Sequence, residues 1–353
     1  DVVRAAGVED VGERLGAASA WRIALTDEVE ELESPEAVLV DEAGPLRGTI
    51  RTVYRFRDSV LIQDVSLHAG LPRVDVRLSI HWYERDRCLK AAFPVAVEGG
   101  EATFEVPFGH LVRPADGTEA PAQNWVDVSD AAGGLSLLTN SRYGFDVRDN
   151  VMRMTVLRGI NDLDPRADEG YHEVQYALYP HAGGWREAQT VRRGLEFNLQ
   201  LVAQQELRRA GVVPPWTSHG VLDAMPPAWS FLTMEPDNVV LTALKVEEEE
   251  WGQGSPFIVR LQETEGRETE VTLRLPIALA HCEETNHIEE PVPSEDVRWS
   301  EDTVTVRMGA YAVKTLRLRL SAMTLGVNAE RQGLSDVGVF SAGDEGRLRR
   351  EQA

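Results

Sequence analysis

Cysteine is scarce in this sequence of 353 residues, and long apolar runs are missing. The two cysteines, Cys88 and Cys282, lie far apart and make no disulfide framework, which predicts a cytoplasmic setting. No apolar run approaches the ~18 residues that a membrane-spanning helix needs. Basic residues are outnumbered, with 36 Lys plus Arg against 58 Asp plus Glu and a net charge of -22. This balance argues against nonspecific binding to nucleic acid and against attraction to an anionic membrane surface.

The motifs of several enzyme classes are also missing. No GxGxxG follows a strand, and neither GxxxxGK[ST] nor a GxSxG nucleophile elbow is present. The segment HCEETNHIEE holds three possible zinc ligands, His281, Cys282 and His287. Their spacing matches no common zinc site, so a polar hairpin is predicted there instead. Two carboxylates would suit a glycosidase, but no pair can be selected from 58 acidic residues.

Alternation of apolar and polar residues dominates the sequence. In RVDVRLSIHW one face of the predicted strand carries Val74, Val76, Leu78, Ile80 and Trp82. Turn signals such as EAGPLRG and LHAGLPR separate many short runs of this kind. The pattern predicts a mainly β chain, with a large antiparallel β-sandwich followed by a smaller one.

The domain boundaries follow changes of composition along the chain. Residues 1–20 are predicted to be a remnant helical or linker segment, and residues 21–205 the large sandwich. A Pro-rich crossover is predicted over 206–229, the small C-terminal sandwich over 230–322, and a flexible tail over 323–353. Residues 186–211 mix helical spacing with extended character, and both readings stay open. A start at Asp1, without an initiator Met, suggests a piece of a longer protein.

Two polar loops are candidate binding sites. The segment LRGINDLDPRADEGYHE places Arg158, Asp164, Asp168 and His172 between two apolar strands. Asp and Arg side chains make the paired hydrogen bonds that sugar hydroxyls accept and donate, and an aromatic face can stack on the ring. The alternative is a solvated loop held by internal turn hydrogen bonds. The second loop, NSRYGFDVRDN, contains Asn140 and Tyr143.

Several long segments resemble the C-terminal region of glycoside hydrolase family 38 α-mannosidases. They include ATFEVPFGHLVRP, NWVDVSDAAGGLSLLTNSRYGFDVRDNVMRMTVLRG and YALYPHAGGWREA, and the resemblance runs from about Trp21 to Leu320. It implies a galactose-mutarotase-like supersandwich followed by a smaller β-sandwich. In that family an N-terminal α/β barrel carries a zinc ion and an aspartate nucleophile, and hydrolysis retains configuration. The zinc-binding His-x-Asp motif has no equivalent here, so no catalytic or metal-binding residue is expected in this chain.

The resemblance also implies partners and a role for the loops. The large sandwich would pack on the catalytic barrel of the same parent chain and lend loops to the rim of a site for mannose-containing oligosaccharides. The implied substrate-binding residues are Arg158, Asp164, Asp168, His172, Asn140 and Tyr143. The two loops need not form one cluster, because a strand separates them, and residues 158–172 are favoured. Two alternatives remain: a free-standing carbohydrate-binding module and a structural interaction domain.

Overall fold

The structure is a computed structural model that describes residues 7–13, 23, 25–32, 34–97, 99–160, 164, 166–203, 230–248 and 255–321. The chain divides into two compact units, Asp1–Leu201 and Val202–Ala353. The predicted crossover at 206–229 and the predicted tail at 323–353 lie outside the described residues. Among the residues described, no helix has the length and apolar character needed to cross a membrane.

The first unit contains fifteen strands and one helix among its described residues. They are β1 (Gly7–Glu13), β2 (Leu25–Glu31), β3 (Ala37–Ala43), β4 (Arg47–Phe56), β5 (Ser59–His68), β6 (Val74–Trp82), β7 (Arg87–Pro94), β8 (Glu101–Val106), β9 (Gly109–Arg113), β10 (Ala120–Pro121), β11 (Trp125–Ser129), β12 (Gly133–Thr139), β13 (Gly144–Arg148), β14 (Val151–Arg158), β15 (Gly170–Ala182) and α1 (Thr190–Asn198).

These strands form two antiparallel sheets that share one core. The six-stranded sheet has the order β10-β13-β14-β7-β1-β2, and the nine-stranded sheet the order β3-β4-β5-β6-β15-β12-β11-β8-β9. The alternation predicted for β6 is present, because Leu78, Ile80 and Trp82 are fully buried. Across the core the rings of Phe93 and Tyr176 lie 5.5 Å apart, so the two sheets pack face to face as the sequence predicted.

Residues 7–13 correct the prediction for the N-terminal segment. They form strand β1, which pairs with β2 and with β7, where the sequence suggested a helical remnant or linker. The local pattern of this segment is weak. Its conformation follows instead from hydrogen bonds to the strands on either side of it. Local propensity does not predict such pairing.

The open question over residues 186–211 is answered in part by α1. This helix lies over the outer face of the nine-stranded sheet, where Trp125, Leu138 and Tyr179 form a second apolar cluster beneath it. A Cβ at Gly194 would lie 3.1 Å from the Trp125 ring, so the glycine permits this close packing. Within the described part of the chain, the helix covers only part of the sheet, and the outer face of β4, β5 and β6 lines a groove.

Over its described residues, the second unit is a smaller sandwich of two four-stranded sheets. Its strands are β16 (Thr233–Glu235), β17 (Val239–Val246), β18 (Phe257–Glu263), β19 (Thr269–Arg274), β20 (Leu279–Thr285), β21 (Val297–Trp299), β22 (Thr303–Met308) and β23 (Val313–Leu320). The sheet orders are β16-β19-β22-β21 and β17-β18-β23-β20. Apolar residues from both sheets make one core that includes Leu261, Leu273, Val306 and Leu316.

A buried ionic cluster lies on the face of the six-stranded sheet that is turned away from the core. The fully buried Lys90 ammonium lies 2.7 Å from Asp146 and 2.5 Å from Glu119, and it donates to the Thr155 hydroxyl at 3.0 Å. Arg153 contacts the other oxygen of Asp146 at 2.6 Å. Burial by itself lowers the pKa of Lys90, but Glu119 and Asp146 outweigh it, and the pKa is raised. We call these five residues the Lys90 cluster.

Candidate functional site

The favoured loop begins with a close backbone contact. At the end of β14, the Gly159 N–H donates to the Arg87 carbonyl at 2.8 Å, and the Gly159 carbonyl accepts from the Asp86 N–H at 2.6 Å. A Cβ at position 159 would lie 2.3 Å from the Glu84 carbonyl oxygen. Only glycine fits this approach, so Gly159 fastens the start of the loop to the turn between β6 and β7.

Asp168 is the centre of a charged cluster. Its carboxylate accepts a hydrogen bond from the Ile160 N–H and interacts electrostatically with His172, Arg158 and Arg142. Burial raises the pKa of Asp168, and the electrostatic interactions with His172, Arg158 and Arg142 act in the opposite direction without cancelling that effect. His172 Nε2 lies 2.8 Å from the Asp168 backbone carbonyl oxygen, which holds the imidazole against the loop.

Arg142 reaches this cluster from the other loop. Its Nε donates to the Val156 carbonyl at 2.6 Å and its Nη1 to the Ser141 carbonyl at 2.9 Å. Burial lowers the pKa of Arg142, and the charges of Asp168 and Tyr143 oppose that shift. We name Arg142, Arg158, Asp168 and His172 the rim cluster.

The two loops therefore meet, although the sequence suggested that they need not. The reason is the tight hairpin of β13 and β14, in which Arg148 pairs with Val151 and Phe145 with Met154. Because β14 runs back beside β13, the residues before β13 and those after β14 lie at the same end of the sheet. The length of β14 separates its own ends but does not separate the loops.

The remaining predicted residues have different surroundings. Asp164 is exposed, and its Oδ1 accepts from the Arg166 N–H at 3.0 Å while its carbonyl accepts from the Ala167 N–H at 3.2 Å. These are the internal turn hydrogen bonds of the alternative interpretation. Asn140 is exposed, and Tyr143 is 59% exposed beside Arg142.

Sequence reasoning missed Arg142 as a site residue. It stands in the quoted loop NSRYG, but nothing local distinguishes it from the other arginines nearby. Its role depends on strand pairing, which brings together residues that lie far apart in the chain. The only local hint is that an arginine directly precedes Tyr143 in a short loop between two buried strands.

The possible zinc segment is divided between two faces of a strand. Cys282 on β20 is buried, and burial raises its pKa to about 12. His281 beside it is exposed and packs against Trp299, with ring centroids 6.1 Å apart. Asn286 then organises the predicted hairpin, because its Oδ1 accepts from the Ile288 and Glu290 N–H groups. Within the described parts of the chain, no three His, Cys, Asp or Glu side chains converge to hold a metal ion.

The rim cluster can hydrogen-bond a polar ligand, and one of its four residues is a carboxylate. Two guanidinium groups supply N–H donors, and one carboxylate supplies acceptors, which is the combination that neighbouring hydroxyls need. Glycoside cleavage requires a second carboxyl group at a defined separation. The hydrogen bonds and charges around Asp168 come from two arginines, one histidine and one backbone N–H.

Comparison with known proteins gives consistent results. Residues 9–166 match the glycosyl hydrolases family 38 C-terminal domain, and residues 238–316 match the glycosyl hydrolases family 38 C-terminal beta sandwich domain. Alpha-mannosidase 2C1 of Mus musculus is 30% identical over 80% of this chain. Alpha-mannosidase G of Dictyostelium discoideum is 24% identical over 82%. The chain spans 27% of the length of each of these relatives.

The fold has a solved counterpart. A glycosyl hydrolase family 38 protein from Enterococcus faecalis superimposes over 90% of this chain and 40% of its own, with a TM-score of 0.71 and 15% identity. That likeness concerns the fold alone. The two family matches together cover well over half of the chain and fall on both units in order. The chain therefore belongs to glycosyl hydrolase family 38, as its C-terminal β-sandwich region.

Proposed function

We propose that this chain is the C-terminal region of a retaining α-mannosidase that removes terminal α-mannosyl residues from oligosaccharides. The relatives bear the name alpha-mannosidase and are nearly four times as long as the matched region. Catalysis then belongs to the rest of the parent chain, with its zinc ion held by residues outside this sequence. The role of this chain is to support that catalytic barrel and to complete the rim of its sugar site. A cytoplasmic location is part of the proposal, because the sequence has only two cysteines, both buried and not joined in a disulfide.

The rim cluster is the observation that carries the sugar-binding role. A half-buried aspartate whose pKa is raised by burial is held beside two arginines that do not fully compensate it. Such an arrangement costs stability in the free chain, and active sites are where such costs are commonly found. Sugar hydroxyls would donate to the Asp168 carboxylate and accept from Arg142 and Arg158. These hydrogen bonds are charge-assisted and therefore stronger than neutral ones.

An apolar overhang supports the proposed packing against the barrel. Val38, Val40, Ile50 and Leu67 are each at least 51% exposed. They lie on the core-facing side of β3, β4 and β5, where Val40 pairs with Ile50 and Ile50 with Val65. The apolar face thus continues past the part that the six-stranded sheet covers. A contiguous exposed patch of this kind is typical of an interface.

Activity in the parent protein tests the rim directly. Arg142→Ala should lower kcat/KM by about tenfold or more, because a charge-assisted hydrogen bond is worth about 1.5–3 kcal/mol. Phe108→Ala removes an exposed ring at the turn between β8 and β9 and serves as the control. Equal kcat/KM for Arg142→Ala and the unmodified parent would refute the role of the rim.

The same proposal predicts that the 353-residue chain alone is inactive. An aryl α-mannoside assay with added zinc should give no turnover above the blank, because the proposal assigns the zinc site and the nucleophile to the rest of the parent chain. Zinc-dependent turnover by the chain alone would overturn the assignment of catalysis to the rest of the parent.

The overhang can be tested through self-association. The chain alone should associate or bind a hydrophobic dye, and the double substitution Val40→Ser with Ile50→Thr should reduce both. Val29→Thr, at another exposed valine, is the matched control. Sedimentation velocity and dye fluorescence measure the effect. A clean monomer without dye binding would contradict an interface at this face.

A further inference from the structure

A groove on the outer face of the nine-stranded sheet lies apart from the rim cluster. It has a volume of about 1030 Å³, at the upper end of the ~300–1,000 Å³ typical of small-molecule sites. The floor is formed by β4, β5, β6 and β15, and one wall by the end of α1 with the residues that follow it. None of the rim cluster residues lines it.

The floor is a row of fixed polar groups across four neighbouring strands. Arg51, Asp64, Arg77 and Gln175 pair in register from one strand to the next. Arg51 binds both oxygens of Asp64, at 2.6 Å and 2.8 Å, and Arg77 binds one of them at 2.8 Å. These contacts lower the pKa of Asp64, chiefly through the hydrogen bond from Arg51. The row is therefore rigid and charged before any ligand arrives.

The wall is apolar and is also held in place. The Arg73 guanidinium lies 5.2 Å from the centre of the Phe197 ring and donates to Asp75 at 2.7 Å. Asn198 anchors the helix end, because its Nδ2 donates to the carbonyls of Thr139 and Gly194. Leu199 extends the apolar wall and is mostly exposed. A ligand in the groove meets a polar floor and an apolar side.

The charges of the groove are paired with one another, which favours a neutral ligand. Every carboxylate that lines it has an arginine within 3.0 Å: Asp41 and Asp64 contact Arg51, Glu42 contacts Arg47, Asp75 contacts Arg73, and Glu196 contacts Arg193. A cation would have to break one of these pairs to gain a carboxylate, and an anion would meet carboxylates whose charge offsets that of the arginines. A neutral ligand with many hydroxyl groups leaves them intact and uses their remaining hydrogen-bonding capacity.

The groove has both donors and acceptors that are available for further hydrogen bonds. Arg77 is 48% exposed, and its bond to Asp64 uses only one of its five N–H groups. The Gln175 Nε2 donates to Glu173 at 3.1 Å, and its Oε1 accepts from no donor among the described residues. The hydroxyls of Thr49 and Ser66 lie 2.9 Å apart on the same face. A polyol needs such neighbouring donors and acceptors.

We propose that this groove is a second binding site, for a neutral oligosaccharide, separate from the rim of the catalytic site. The sugar hydroxyls hydrogen-bond the Arg77 and Gln175 side chains, and an apolar C–H face lies against Phe197 and Leu199. The proposal of a neutral glycan rests on the groove alone. That the glycan contains mannose would follow only from the proposed function.

Titration of the 353-residue chain with mannotriose, maltotriose and a heparin tetrasaccharide tests this site by calorimetry. At least one neutral trisaccharide should bind saturably. Gln175→Ala and Phe197→Ala should each weaken that binding by about tenfold, the effect of losing one hydrogen bond or one stacked ring. Phe108→Ala, at the opposite edge of the same sheet, should leave it unchanged.

The outcomes separate this site from the rim. Arg142→Ala should leave trisaccharide binding intact, so a failed rim proposal does not remove the groove. Circular dichroism checks each variant, and if Phe197→Ala unfolds, Gln175→Ala decides, because its side chain is not part of the core. The site is refuted by the absence of saturable neutral-sugar binding, by binding of heparin alone, or by wild-type affinity in a folded Gln175→Ala variant.

Discussion

The Lys90 cluster and the rim cluster gather the same kinds of side chain with opposite results. In the Lys90 cluster, carboxylates outweigh the burial of the ammonium, and the pKa of Lys90 is raised. In the rim cluster, the effect of burial outweighs that of the neighbouring side chains. The pKa of Asp168 is therefore raised, which favours its neutral form. One network is saturated, with a carboxylate or hydroxyl on each side of the lysine. In the rim cluster, the neighbouring side chains do not fully compensate the burial of Asp168. This arrangement destabilises the fold slightly and leaves Asp168 available to a ligand.

The largest expected effect is on stability, at the saturated network. Lys90→Met should destabilise the chain by about 3–5 kcal/mol, because it leaves Asp146 and Glu119 buried without their shared cation. Urea denaturation measures the loss. Lys245→Met is the control, since its ammonium is partly exposed and its ion pairs with Glu248 and Glu289 are screened by solvent, so it should lose much less stability than Lys90→Met. A similar small loss for both variants would remove the contrast between the clusters.

The second effect is on activity, at the rim. In the parent protein, Asp168→Asn should lower kcat/KM by about tenfold, or about 1.4 kcal/mol of transition-state stabilisation. Tyr143→Phe should cost less, because it keeps the ring and loses one exposed hydroxyl. Steady-state kinetics on an aryl α-mannoside compares them. A greater loss for Tyr143→Phe would show that the ligand contacts the exposed tyrosine and not the charged cluster.

The third effect distinguishes the clusters by pH. Because the pKa of Asp168 is raised in the folded chain, the folded state keeps this proton at pH values where the unfolded chain has lost it. The favourable contribution is present below the unfolded pKa of about 3.9 and is lost as pH rises through the folded pKa. Asp168→Asn should therefore be at least as stable as wild type at pH 7 and equal to it near pH 3. Urea midpoints at both pH values measure this, and a clear loss of stability at pH 7 would mean that Asp168 supports the fold.

The smallest effect is expected at Asp164. Its carboxylate accepts one backbone N–H in an exposed turn, so Asp164→Ala should cost about 1 kcal/mol or less of stability. Its kcat/KM in the parent should fall less than that of Asp168→Asn. If Asp164→Ala were the more damaging of the two in kinetics, the ligand would lie nearer the turn than the rim cluster.

Most of the fold could be predicted because the alternation of apolar and polar residues along a strand indicates directly which side chains are buried. Leu78, Ile80 and Trp82 are spaced for one face, and all three are fully buried. Strand β1 was missed because its pairing with β2 and β7 is not encoded in its own pattern. Lys90 offered a local clue, as a charged residue in the apolar run LKAAFPVAV, but its partners Glu119 and Asp146 are brought to it only by the sheet.

The site could be predicted only in part, for the same reason. Arg158, Asp168 and His172 lie within one short segment, and the structure keeps them together. Arg142 joins them through the β13–β14 hairpin, which a reading of separate loops did not anticipate. The groove on the outer face depends on four strands in register, so its row of side chains cannot be recognised in any single segment.

Gly159 has a consequence for engineering. A Cβ at this position would clash with the Glu84 carbonyl, and the backbone is hydrogen-bonded to Asp86 and Arg87, so the rim loop and the turn at residues 83–86 depend on each other. If residues 159–172 alone were grafted onto another β-sandwich, the turn of the recipient protein could clash with the grafted loop. A designer who wishes to change sugar preference by loop exchange should move both segments together, or begin with substitutions inside the loop that leave the glycine in place.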